Sequence, residues 1–383
     1  MTKDKKKKEK KGLSRTQTKA FSSILAVIIG LLIGLIIILI TNPENAGAAI
    51  PRFLKGPFNR GRVGFGDLFY HMTPILMTGL SVGFGYKTGL FNIGASGQFL
   101  VGGFVAILSG HYLEGIIPTG TIWIVSMLLA ALAASLMGAL IGALKAYRNV
   151  NEVITSIMLN YSAMYIVNDL IKRLGIYNQM KNNTIPIAAK VPKMGLDALF
   201  PGTIAGGSII IAIIFVIVLH IILHKTTFGY ELKSVGLNRY ASKYAGINEN
   251  RSIILSMAIA GGLAGIGGAM LYLSGAGNHL TVQEIIPQEG FDGIAIALLG
   301  LNEPIGIFLS TMLIAYLQMG GQAIQTLGYT SELVSMIISI ILYISALSVL
   351  FSTILNKFNK NKNKVDRNVI FEPLELKVKE EDK

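Results

Sequence analysis

Ten predominantly apolar stretches recur along the chain with polar connections between them: about 21–40, 65–83, 89–109, 121–144, 152–171, 203–224, 251–273, 286–301, 304–320 and 333–352. A helix needs roughly 20 apolar residues to cross the hydrocarbon core of a bilayer. The runs are continuous, without the two-residue alternation of a membrane β-barrel, so the pattern predicts an all-α, polytopic membrane protein of about ten transmembrane segments. Segments 89–109 and 286–301 are the two that also read as re-entrant. With all ten crossing, both termini lie on the same side.

Composition agrees: 52% of the 383 residues are hydrophobic, and only 14% are charged. The charges gather at the ends, which divides the chain into a basic tail (1–20), a membrane domain (21–356) and a charged tail (357–383). Of the 34 Lys and Arg, 25 fall on the side that holds both termini and 9 on the other. That bias makes the first side cytoplasmic and turns the net charge of +13 into an orientation signal, against a nucleic-acid reading. The N-terminal Lys cluster belongs first to that orientation signal, with contact to anionic membrane lipid as its second reading. Ala46-Gly47-Ala48 has the form of a signal-peptidase site, but the preceding apolar run, Phe21 to Ile40, exceeds the 7–15 residues of a signal core and reads as a retained span.

No enzyme constellation assembles. There is no cysteine, no HExxH and no GxxxxGK[ST], so neither a thiolate metal site nor a Walker loop is present. His220 and His224 have the spacing of a metal pair on a helix but no third ligand nearby, which favours imidazoles at a helix end. The expectation is no metal and no cofactor of the chain's own. Active transport would then draw on an ion gradient or on ATP bound by another subunit.

Glycine carries the remaining signal. Gly261, Gly262, Gly265, Gly267 and Gly268 within one span read as close helix packing. Gly79, Gly83, Gly85, Gly89, Gly94 and Gly97 instead surround Asn92, Ser96 and Gln98. Polar amides among glycines at membrane depth suggest a broken helix lining a pathway. Gly89-Leu90-Phe91-Asn92-Ile93-Gly94 and Gly290-Phe291-Asp292-Gly293 are alike and lie five segments apart, as a five-plus-five inverted repeat with broken helices would place them. That arrangement sets Phe91, Asn92, Phe291 and Asp292 around one pathway. Asp292 reads equally as a polar group on that route or as an N-terminal cap. Asn160 is a further pathway candidate, Glu152 a helix-start residue, and Asp67 and His71 a pair on one helical face. Loop 225–250 is polar and helix-compatible, while 172–202 reads as irregular.

Several of these stretches resemble the permease subunits of bacterial ABC importers, in the branch serving simple sugars, branched-chain amino acids and nucleosides. They are Tyr86-Lys87-Thr88-Gly89-Leu90-Phe91-Asn92-Ile93-Gly94 with Gly97-Gln98, Asn151-Glu152-Val153-Ile154 with Met158-Leu159-Asn160-Tyr161, Gly236-Leu237-Asn238 with Tyr244-Ala245-Gly246-Ile247, and Gly290 to Gly300. The wording is most like that of nucleoside-uptake permeases. The resemblance covers about residues 60–350. It implies a permease domain whose loop 225–250, through Gly236, Tyr244, Ala245, Gly246 and Ile247, couples to an ATP-binding subunit. It also implies a second permease, identical or paralogous, and an extracellular substrate-binding lipoprotein. The expected function is ATP-driven nucleoside import. A simple-sugar permease and a self-sufficient ion-coupled transporter are the alternatives. Under the first reading Phe91 and Phe291 would stack on a base, with Asn92, Ser96, Gln98, Asn160 and Asp292 along the route.

Overall fold

In the computed structural model the described residues are 15–346, with side chains described over 24–344. Residues 1–14, the end of the tenth apolar segment and the C-terminal tail lie outside them. The described chain is almost wholly helical: α1 Arg15–Thr41, α2 Pro43–Lys55, a 3-10 turn Gly56–Arg60, α3 Gly61–Tyr86, α4 Ala95–Tyr112, α5 Thr119–Arg148, α6 Glu152–Arg173, α7 Leu196–Leu199, α8 Ser208–Lys225, α9 Thr227–Leu237, α10 Arg239–Tyr244, α11 Glu249–Tyr272, α12 Gln288–Leu299, α13 Pro304–Gln325 and α14 Ser331–Ala346. Strands β1 Tyr177–Asn178 and β2 Asn183–Thr184 form one small antiparallel hairpin.

Each of the ten apolar segments contains a helix. Five (α1, α5, α8, α11 and α13) are long and apolar enough to span a bilayer by length and composition alone. α3, α4 and α6 have 26, 18 and 22 residues, and carry polar groups on their inner faces. α12, with 12 residues, is about 18 Å long at 1.5 Å per residue and cannot cross alone.

Contacts at the helix ends sort them onto two faces. On the first face Lys87 pairs with Glu303, Lys145 with Glu152 and Arg239 with Glu249. On the second, Asn45 bonds Leu327 O, Tyr112 bonds Leu174 O and the Val191 N–H bonds Leu273 O. α1 packs antiparallel on α14, with Gly30 against Ile341 and Gly34 against Ile337. The start of α1 and the described end of α14 therefore share a face.

Local chemistry explains the helix starts. On the first face the side chains of Asn151, Thr226, Asn238 and Asn248 accept from backbone N–H groups of α6, α9, α10 and α11, each an N-cap that satisfies an otherwise free donor. α2, which was not expected within the 43–64 connection, starts at Asn42 capping Asn45 with Pro43 in its first turn. The glycines of α11 seat it on α5: a Cβ at Gly261 would lie 3.2 Å from Gly138 Cα, and one at Gly142 would lie 2.9 Å from Ile254 Cα. Small residues allow this backbone approach, as the Gly cluster suggested. The opposite side of α5 presents Leu128, Leu132, Leu136 and Leu140 outward, a one-face stripe suited to lipid.

α4 and α12 start at Gly94 and Pro287 without a side-chain cap, as α3, α5, α8 and α13 also do at their own starts. Residues 87–94 lead in from the first face by turns and extended backbone before α4 runs to the second face. Residues 274–287 lead in from the second face, bonded to β2 through Leu280 and Thr184, before α12 runs to the first. Both are broken crossings, oppositely directed, and their N-terminal ends meet, with Gly290 against Ser96. α4 packs on α11 and α12 on α3, α5 packs on α11 and α13 on α3. This exchange of partners is what an inverted repeat requires.

Candidate functional site

The start of α4 is built from buried polar groups. Asn92, Ser96, Gln98 and Asn160 are at most 2% exposed. Asn92 Nδ2 donates to Gln98 Oε1 at 2.8 Å and to Ser81 Oγ at 3.1 Å. Asn160, on α6, accepts from the Gly97 N–H and donates to Ile93 O, each at 3.0 Å. It thus caps α4 from another helix, which supplies the partner that the chain leading into α4 does not. Asn92 Oδ1, Ser96 Oγ and Gln98 Nε2 have no hydrogen-bond partner among the described residues. At the matching place in α12, Thr78 Oγ1 donates to Glu289 O at 2.7 Å.

Beside this knot, between α3, α12, α13 and α14, lies a cavity of about 750 Å³. α12 contributes Gln288, Glu289 and Asp292, α13 contributes Gln318, Gln322 and Gln325, and α14 contributes Glu332, Ser335 and Ser339. Tyr70 and His71 of α3 complete the polar wall, with His71 Nε2 3.4 Å from Gln322 Nε2. The cavity reaches from the second face, at Gln325 and Ser331, to the first turns of α12. Its volume lies within the usual range of small-molecule sites, about 300–1,000 Å³.

The expected pathway residues therefore separate. Asp292 lines the cavity. Asn92, Ser96, Gln98 and Asn160 are gathered in the knot, Phe91 is half-buried, and Phe291 is 37% exposed on the outer side of α12. Phe91, Asn92 and Phe291 do not line the cavity with Asp292. The cap reading of Asp292 is corrected: the N-cap position of α12 is Pro287, and Asp292 sits in the second turn, 3.4 Å from Gln288 Nε2. Asp67 takes its hydrogen bonds from groups other than His71. Its carboxylate accepts from Arg60 at 2.6 Å, from Thr203 Oγ1 at 3.1 Å and from Ile204 N at 3.2 Å, which clasps the start of α3 to the connection before α8. His220 and His224 stack with centroids 4.4 Å apart, and His224 faces Glu303. No group of three metal-ligating side chains occurs among the described residues.

On the first face, α9 and α10 carry the candidate coupling residues. Tyr244 is 95% exposed and Leu237 89%, an apolar surface that no other described residue covers. Ala245 and Gly246 are exposed and Ile247 half-buried. Gly246 ends α10 at φ +80°, with its N–H on Lys243 O and that of Ile247 on Ser242 O, the left-handed closure that favours glycine. Gly236 lies against the backbone of Lys87 and Gly89, so the pair α9–α10 touches the lead-in to α4 directly.

The Gln stripe on α13 and the Ser stripe on α14 were missed in the sequence. The signal was present: Gln318 and Gln322, and Ser331, Ser335 and Ser339, repeat at i, i+4 within otherwise apolar segments.

Two broken helices meeting inside an all-α membrane domain, next to a polar cavity open to one face, are the build of a solute-translocating membrane protein. Comparison with known proteins specifies which kind. Residues 65–346 match the family described as branched-chain amino acid transport system / permease component, and the chain belongs to that family. It is 36% identical over 304 residues to the guanosine ABC transporter permease protein NupP of Bacillus subtilis, covering 77% of this chain and 86% of that one. It is 35% identical over 301 residues to the nucleoside ABC transporter permease protein NupB of Lactococcus lactis, covering 76% and 81%. The glucose ABC transporter permease protein TsgB13 of Haloferax volcanii is 29% identical over 292 residues, covering 73% and 75%. No solved structure matches the chain. The protein is thus a multi-pass membrane transport subunit and not an enzyme; in this family ATP is hydrolysed by a separate subunit, and a substrate-binding partner serves the permease.

Proposed function

We propose that the chain is the membrane-spanning permease subunit of an ATP-driven importer of nucleosides, with the cavity between α3, α12, α13 and α14 as the substrate's way in. The cavity carries this reading. It offers amides, hydroxyls and the Tyr70 ring, which suit base and ribose, and the two relatives named for guanosine and nucleosides support the same substrate class. The glucose permease among the relatives supports simple sugars as a second reading.

The bias of 25 Lys and Arg against 9 supports a cytoplasmic first face, with both termini on it. The ATP-binding subunit docks on α9–α10 through Tyr244, Ala245, Gly246 and Ile247. Gly236 passes its movement to the Lys87–Gly89 turn and so to the knot around Asn92, Ser96, Gln98 and Asn160. The cavity mouth faces outward, where a substrate-binding lipoprotein delivers nucleoside. A second permease, identical or paralogous, completes the membrane unit. The permease domain is 21–356, with 1–20 and 357–383 as cytoplasmic tails, and no cofactor belongs to this chain. The test is ATP-dependent uptake of guanosine, uridine and ribose into vesicles holding the chain with its partners. Guanosine or uridine should enter and ribose should not. Preferential ribose uptake overturns the substrate, and uptake by this chain alone, driven by an ion gradient, overturns the mechanism.

A further inference from the structure

The charges on the cavity wall are of one sign. Among the described residues Glu289, Asp292 and Glu332 line it, and no Lys or Arg does. Cations elsewhere are held by other carboxylates: Arg60 by Asp67, Lys87 by Glu303, Lys193 by Asp197. The rest of the wall is amide, hydroxyl and ring, with His71 facing Gln322. A cleft with low-dielectric walls and charges of one sign focuses their field along its length. A phosphate group entering this cavity meets, among the described residues, three carboxylates and no guanidinium or ammonium, the groups that recognise phosphate.

Resting on the reading of this cavity as the nucleoside's route, we propose that Glu289, Asp292 and Glu332 determine its charge specificity. The cavity admits uncharged and cationic solutes of nucleoside size and turns away phosphorylated ones. The carboxylates need not touch the substrate to do this. Gln318, Gln322 and Ser335 supply hydrogen bonds, and the acidic groups set the potential through which the solute passes.

The chain has no cysteine, so single thiols report that potential directly. Ser335→Cys places one on the cavity wall, and Gln179→Cys places a control on the exposed second face. In membranes at pH 8 and low salt, both are reacted with trimethylammonium-ethyl and sulfonatoethyl methanethiosulfonate, and the rate ratio is divided by that of a free thiol. At Ser335→Cys the cationic reagent should be favoured at least ~10-fold. The preference should fall toward one when Glu289→Gln, Asp292→Asn and Glu332→Gln are combined, and the ratio at Gln179→Cys should stay unchanged. If the triple variant does not insert, Asp292→Asn alone should lower the preference while Asp292→Glu keeps it. A normalised ratio near one in the parent, or one that neutralisation leaves unchanged, overturns the proposal. Uptake is not the readout, so the two readings fail separately. A charge preference in a complex that carries no nucleoside removes the functional reading, and nucleoside uptake with no charge preference removes the filter.

Discussion

Replacing Gly293 by alanine tests how closely α12 must lie on α3. A Cβ there would sit 2.6 Å from Thr78 Oγ1, 2.7 Å from the Thr78 carbonyl carbon and 2.8 Å from Thr78 Cβ. Carbon atoms in contact prefer about 3.5–4.0 Å, so relief requires α12 to withdraw by roughly 1 Å. Overpacking of this kind costs about 1–3 kcal/mol, and the withdrawal also strains the Thr78–Glu289 hydrogen bond, worth about 1 kcal/mol. About 2.7 kcal/mol lowers the population of the correctly packed state roughly 100-fold relative to its competitors. Asp292 is the neighbouring residue, so the same movement displaces the cavity wall. Unfolding of the purified chain in detergent and ATP-driven uptake by the complex read the two effects. Gly293→Ala should lower stability by at least ~1 kcal/mol and cut uptake at least tenfold. Adding Thr78→Ala should not restore either, because the Thr78 carbonyl carbon and Cβ remain in the way. Gly120→Ala, with nothing within 4 Å of the new Cβ, is the neutral control. Wild-type stability and uptake for Gly293→Ala would refute the argument.

Two other substitutions probe the remaining parts of the account. Tyr244→Asp puts a charge on an apolar side chain that is 95% exposed; insertion and stability should be unchanged while co-purification of the ATP-binding subunit and ATP-driven uptake are lost, and normal uptake would remove α10 from the docking surface. Asn160→Leu leaves the Gly97 N–H and Ile93 O without their partner, at about 1–3 kcal/mol for each buried orphan; thermal unfolding of the purified chain should fall accordingly, and an unchanged midpoint would deny Asn160 its capping role.

The helices were legible because a bilayer demands long apolar runs, and runs such as Thr119–Arg148 have no competing reading. The broken crossings were legible from glycines mixed with Asn92, Ser96 and Gln98, since such a mixture is tolerated at membrane depth only inside protein. The cavity was harder to read. Its wall is made by Gln322, Ser335 and Asp292 on three helices, and only tertiary packing decides that their polar stripes face one another. The hydrogen-bond partners of Asp67 were hidden for a related reason: its neighbour His71 is four residues away, whereas Thr203 is 136 residues away, and a buried carboxylate takes its partners from whatever the fold brings to it. Asn160 and Gly97 are likewise 63 residues apart, so a helix cap supplied by another helix leaves no local signature. Residues 43–55 fall between two apolar segments, so the apolar pattern did not show α2, although Asn42 and Pro43 are helix-start chemistry and Pro51 is accommodated within the helix.

If solute passes through the cavity lined by α12, α13 and α14, a bulky group on its wall must block transport. A bulky maleimide on Gln322→Cys tests this, with ATP-driven nucleoside uptake measured before and after stoichiometric labelling in the assembled complex. Labelling should abolish uptake while ATP-binding subunit association persists, and nucleoside delivered by the binding protein should slow the labelling. Undiminished uptake through a fully labelled complex would contradict that route.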